Sequence, residues 1–176
     1  MRILKIVNSV DSGGVFNCEK QFIKELLRLG IEVDLVIVGN GINKDIYANL
    51  GANFFIIPEI PSFSARSITE IFRVYKLGLS SRNLIINKFG DQSYDAIIYR
   101  RQYYTFLSYF IGKHFKSKVY WHIPGVIKSK FLKKVYNVLL SSLNVIPLAN
   151  SKYTQSTLGD ICKYVVYPGF DEDRNL

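Results

Sequence analysis

Only a few residues in this sequence combine a reactive type with a suggestive setting. His122 stands in Tyr120-Trp121-His122-Ile123-Pro124-Gly125, where its imidazole is the only group that titrates near neutral pH. By residue type alone it is either a ligand-facing group or a core histidine. Tyr99-Arg100-Arg101-Gln102 offers two adjacent guanidiniums, which can grip an anion bidentately or stay solvated at a helix start. Ser9-Val10-Asp11-Ser12-Gly13-Gly14 brings two glycines to a turn. Glycine lets the backbone approach a phosphate, but a glycine pair also serves as a plain tight turn. Ser151 precedes Lys152-Tyr153-Thr154 and is placed to cap a helix, beside which a ligand contact is a lesser role. His114, between Lys113 and Lys116, reads as a solvated or dipole-capping group. Cys18 and Cys162 are too scattered for a disulfide framework or a metal knuckle, so no metal site is expected and a reducing, cytoplasmic setting fits.

These residues need elements to carry them. Short Ile/Val-rich runs alternate with longer segments of helical period, the pattern of a parallel sheet with helices on both faces. The expected class is therefore α/β, a Rossmann-like single domain. Strands are expected at Ile3–Asn8, Glu32–Val38, Asn53–Ile57, Asp95–Tyr99, Lys118–His122, Val145–Ala149 and Tyr164–Tyr167. Helices are expected at Phe16–Leu29, Ser67–Lys88, Tyr103–Phe115, Lys128–Ser141 and Lys152–Leu158, with Gly30 stopping the first. His122, Arg100 and the glycine pair then all lie at carboxyl ends of strands, where open α/β sheets hold ligands.

Several chemistries are argued against. A dinucleotide turn needs three spaced glycines and an acidic end to the second strand, whereas Gly13 and Gly14 are adjacent and that strand ends Val38-Gly39-Asn40. No phosphate-binding GxxxxGK[ST] loop occurs. The first residues, Met1 to Asn8, are interrupted by Lys5 and read as a strand rather than a leader. No segment carries the ~20 apolar residues of a membrane span.

Taken in order, the features resemble the family-4 glycosyltransferases. The first strand, the Gly13-Gly14 turn, a helix holding Glu19 and ending Leu-Leu-Arg-Leu-Gly30, and the strand up to Val38 are similar to that family's opening. Tyr120 to Gly125 looks like the strand whose end carries its histidine. Leu148-Ala149-Asn150-Ser151-Lys152-Tyr153-Thr154 and Val165-Val166-Tyr167-Pro168-Gly169-Phe170-Asp171 are similar to two later turns. The chain departs from the pattern in three places. The glutamate usual two positions after the second glycine is Phe16 here, Gly169 follows Pro168 directly, and the donor-site glutamate pair with seven residues between is absent. Glu19, Glu25, Glu32, Glu59 and Glu70 are followed eight positions later by Leu27, Val33, Asn40, Ser67 and Gly78.

The resemblance implies an acceptor-side domain over residues 1–170, the start of a linker at 171–176, and a separate donor-binding domain or subunit completing a GT-B enzyme. It implies a retaining transfer from a nucleotide-sugar to a glycan or lipid-linked acceptor, with no other cofactor. The Gly13-Gly14 backbone would face the diphosphate, and His122 would hydrogen-bond the transferred sugar or steady the reacting centre. Asp171 would help position the second domain or simply belong to a charged tail.

The charge is lopsided. Of 23 basic and 14 acidic residues, 15 and 3 fall in residues 62–159, a net +12 within an overall +9. Lys128 to Leu140 forms a basic amphipathic pattern that suits either packing on the sheet or an anionic membrane surface. Nucleic acid is disfavoured: the aromatics Tyr103, Phe106 and Phe110 recur with helical spacing, and no RNA- or DNA-binding signature is present. A non-catalytic remnant or adaptor that binds membrane or a protein partner is the alternative function.

Overall fold

The computed structural model describes residues 1–62, 68–123, 125–127 and 130–167; of Ile68 and residues 130–132 only the backbone is considered. Seven strands form one sheet: β1 (Arg2–Asn8), β2 (Glu32–Val38), β3 (Asn53–Ile57), β4 (Ala96–Tyr99), β5 (Lys118–Ile123), β6 (Val145–Ala149) and β7 (Tyr164–Val165). The helices are α1 (Gly13–Arg28), α2 (Lys44–Asn49), α3 (Ile68–Phe89), α4 (Thr105–Phe115), α5 (Lys130–Ser142) and α6 (Lys152–Leu158). The expected α/β class is what the chain adopts.

Strand order is β3-β2-β1-β4-β5-β6-β7, all parallel. The winding direction reverses between β1 and β4, and that reversal opens a crevice at the carboxyl ends of those two strands. On one face Leu4, Ile6, Val36, Val38, Ile97, Tyr99 and Trp121 pack against Val74 and Ile85 of α3, Leu107 and Ile111 of α4, and Tyr136 and Leu140 of α5. On the other, Ile23 of α1 and Tyr47 of α2 cover Val7, Val33, Leu35 and Ile37. Beyond α1 on that second face, a hollow of about 760 Å³ over β4, β5 and β6 is lined by Ile98, Tyr120 and Leu148.

Local differences from the sequence reading have physical causes. Helix α1 begins at Gly13, three residues before Phe16, because Gly13 takes φ +59 and turns the chain straight into the first helical turn. At its other end Gly30, at φ +73, closes a Schellman motif, donating to Leu27 O while Ile31 N donates to Leu26 O. The short helix α2 has no counterpart in the expected elements; its six residues Lys-Asp-Ile-Tyr-Ala-Asn carry too little period to read, and Tyr47 alone anchors it. The last strand stops at Val165, two residues short of the expected Tyr167.

Candidate functional site

The crevice at the reversal is built from the loop after β1. Asn8 ends β1, its Oδ1 accepting from Val10 N at 2.9 Å and its Nδ2 donating to Tyr104 Oη at 2.7 Å. The loop is tied from the β2 side by Asn43 Nδ2, which donates to the carbonyls of Ser9 and Asp11 at 3.0 Å each. From the β4 side the Arg101 guanidinium pairs with the buried Asp11 carboxylate. Ser12 is the N-cap of α1, yet its side chain accepts no cap bond, so the opening N–H groups of that helix lack the usual side-chain acceptor. A Cβ added to Gly13 or Gly14 would meet nothing within 4 Å, so this backbone faces open space. A cleft of about 280 Å³ between Asn8, Gly39, Asn40 and Glu59 adjoins it.

Under α1 lies a charged cluster. Lys5, on β1, is fully buried and pairs with Glu19 of α1 at 2.7 Å. Arg100, the first residue after β4, reaches the other oxygen of Glu19 with Nη1 at 3.0 Å and the Val15 carbonyl at 3.4 Å. Its backbone is pinned by Trp121 Nε1, which donates to Arg100 O at 2.9 Å. Burial alone would raise the Glu19 pKa, but Lys5 and then Arg100 hold it below the usual carboxylate range. Lys5 Nζ also stands over the Phe22 ring, 4.7 Å from its centroid.

His122, near the end of β5, is 7% exposed and faces this cluster, its ring 6.4 Å from that of Phe22. Burial lowers its pKa to about 4, helped by the charges of Lys5 and Arg100 and opposed by Glu19 and a hydrogen bond to the Val166 backbone. That bond favours the protonated nitrogen, so the ring N–H donates to the Val166 carbonyl. Nε2 has no hydrogen-bond partner among the described residues. The result is a neutral imidazole with an unpartnered Nε2.

Of the residues singled out from sequence, the structure gathers Gly13, Gly14, Arg100, Arg101 and His122 at or beside this crevice. Both arginines are engaged with internal carboxylates. Ser151 accepts from Thr154 N at 3.1 Å and caps α6 at the end of β6. His114 is exposed in the last turn of α4. Tyr136 of α5 packs on Trp121 with ring centroids 5.2 Å apart, so the apolar stripe of that helix is used on the sheet. Lys128 and the segment Pro168 to Asp171 lie outside the described residues, as does the expected linker 171–176. The sequence reading left out Lys5. A lysine inside an apolar strand was the available signal, since such a group is buried only with a partner.

No family model matches the sequence, and no curated protein matches it. Solved structures do. A glycosyltransferase from Rickettsia africae ESF-5 superposes with a TM-score of 0.62 at 22% identity, covering 94% of this chain and 42% of that one. Anabaena Alr3699/HepE, solved in complex with UDP and glucose, gives 0.64 at 17% identity, covering 97% and 45%. The UDP-GlcNAc 2-epimerase of Neisseria meningitidis, bound to UDP-GlcNAc, gives 0.57 at 13%, covering 95% and 46%. The fold is that of half a GT-B enzyme. This GT-B half spans less than half the length of each of these structures, and an epimerase shares the fold with transferases, so the fold alone selects no reaction.

Proposed function

We propose that this GT-B half is the acceptor-side domain of a retaining glycosyltransferase, acting with a donor-binding domain or subunit to move a sugar from a nucleotide-sugar to a glycan or lipid-linked acceptor. The observation that carries the reading is the neutral His122 with its unpartnered Nε2. An unpartnered ring nitrogen in a nearly dry crevice calls for a ligand that can hydrogen-bond it, and a sugar hydroxyl can either donate to it or accept from it. In such a reaction negative charge gathers on the departing diphosphate, and the uncapped start of α1 at Gly13-Gly14 presents N–H groups and a positive helix end to it. The domain then works by positioning and electrostatic stabilisation. Ser151 contributes by holding the start of α6 at the neighbouring strand end.

The test is reconstitution. The chain alone should transfer little sugar, and addition of a donor-binding half should produce turnover. His122→Ala should lower that turnover by at least ~10-fold, the worth of one hydrogen bond in a water-poor site. Undiminished turnover in that variant sinks the role of His122.

A second reading, an adaptor for an anionic membrane surface, rests on a different region. Arg82, Lys113 and His114 rim a groove of about 470 Å³ between α3 and α4, walled by Tyr75, Phe106 and Phe110. On α5, Val138 is 68% exposed beside the exposed Lys134. No described helix is long and apolar enough to cross a membrane, so contact would be with the surface.

A further inference from the structure

Two buried charges have no part in the proposed reaction. Lys5 of β1 is fully buried and Glu19 of α1 nearly so, and neither can reach a ligand in the crevice. A buried ion pair adds little stability over an apolar pair of the same volume, so folding alone gives no reason for a lysine inside an Ile/Val strand. Strand register shows what the pair does reach. Lys5 is level with Ile98 of β4, and Ile98 with Tyr120 of β5. Arg100 and His122 follow two residues farther along, on the same face of the sheet. Glu19 joins this row from α1, taking Lys5 Nζ at 2.7 Å on one oxygen and Arg100 Nη1 at 3.0 Å on the other. Two contacts lead from there to His122. Lys5 Nζ stands 4.7 Å from the centroid of the Phe22 ring, and that ring lies 6.4 Å from the imidazole at 33°. Arg100 is pinned through its carbonyl by Trp121 Nε1, next to His122 in the chain. The charges acting on the imidazole are those of Lys5 on β1, Arg100 at the end of β4 and Glu19 on α1, and the segment after β7 adds the Val166 backbone.

We propose that Lys5 and Glu19 are positioning residues for His122: Lys5 seats the Phe22 ring against the imidazole, and Glu19 fixes both Lys5 and Arg100 below it. With two cations and one carboxylate as neighbours, the imidazole meets a surplus of positive charge that disfavours its own protonation. The two residues therefore act on His122 in opposite senses. Lys5 keeps the ring uncharged, and Glu19 offsets part of that effect while holding the pieces in place. The contacts stand whatever reaction the site performs; only their effect on turnover rests on the transferase reading.

Proton NMR of the imidazoles in the full chain is the test. The sequence holds two histidines, His114 and His122, which His114→Gln tells apart. Lys5→Met should raise the His122 midpoint from about 4 by about one pH unit, and should weaken the Overhauser contact between the Phe22 and His122 rings. Lys5→Gln, which can still donate to Glu19, carries the same expectation if the methionine variant fails to fold. Glu19→Gln should show no rise, its midpoint staying at or below the parent value down to the acid limit of folding. Arg28→Gln, which removes a cation from an exposed position on the same helix, should change nothing. A role in packing alone would let water in and raise the midpoint in Lys5→Met and Glu19→Gln alike. That result, an unmoved midpoint or an undiminished ring contact in the Lys5 variant, or an equal rise in Arg28→Gln overturns the proposal. In the reconstituted transferase Lys5→Met should lower kcat on the acid side of the pH profile and leave the KM for the nucleotide-sugar unchanged. Full turnover in His122→Ala beside the expected titrations would keep the positioning pair and remove the sugar contact. Unmoved titrations beside a large loss in His122→Ala would do the reverse.

Discussion

His122 links the site to the stability of the fold. Its pKa is about 4 in the folded protein, against about 6.5 for an unperturbed histidine. Between those two values the unfolded chain binds a proton that the folded chain refuses. Stability therefore falls as pH drops from 7 toward 4, by about 3 kcal/mol at full extent, and this contribution levels off below pH 4. Glu19 acts lower: its depressed pKa gives stability that is complete above the ordinary carboxylate range and is lost as pH falls through the folded value. Urea midpoints at pH 7.5 and 4.5 should differ clearly in the parent protein and much less in His122→Gln; equal differences would refute the buried neutral imidazole. At this scale His122, Arg100 and the glycine pair were legible in the sequence from residue type and strand-end position. The partnership of Lys5, Glu19 and Arg100 was not, because Glu19 lies 14 positions from Lys5 and 81 from Arg100. Only the adjacency of β1 and β4 in the sheet, with α1 laid over both, brings the three together.

The elements hold the crevice open through a few backbone positions. Gly39 follows β2 at φ +112, and a Cβ there would sit 2.3 Å from the Ser9 hydroxyl. That hydroxyl accepts from Asn40 N at 3.1 Å, so the ends of β1 and β2 are stitched together at one spot. Gly39→Ala should cost about 1–3 kcal/mol from the strained φ, with a further loss from displacing Ser9. A thermal melt measures the stability, and proton-exchange protection at Asn40 reports the stitch. An unchanged melting temperature would count against this account. Most element ranges were readable because parallel strands buried on both faces are continuous Ile/Val runs and α1 and α5 have clear apolar stripes. Helix α2 was not readable, because a helix of six residues secured by Tyr47 is a product of tertiary packing rather than of local preference.

Across the whole molecule, the alternation of Ile/Val runs with helical segments gave the α/β class, and sheet order then places a crevice at the β1/β4 reversal. The charge map adds a directional feature. The basic segment, net +12 over residues 62–159, supplies α3, α4 and α5, all on the face of the sheet opposite α1. The strand-end crevice and the broad basic face thus occupy separate parts of the surface. If the adaptor reading holds, the chain should co-sediment with vesicles rich in anionic lipid at low salt and release as salt rises. Arg82→Glu together with Lys113→Glu should abolish sedimentation. No sedimentation at low salt removes that reading.

The bond between His122 and the Val166 carbonyl has a practical consequence for anyone defining the edge of this domain. A cut placed after the last strand, at Val165, removes the bond from Val166 N to Ala149 O, 2.8 Å, that closes the β6–β7 ladder. It would also remove the Val166 backbone group, whose hydrogen bond favours the protonated form of His122. Fragment boundaries in this protein are therefore chemical decisions: one residue beyond the last strand holds both the edge of the sheet and a contact to His122.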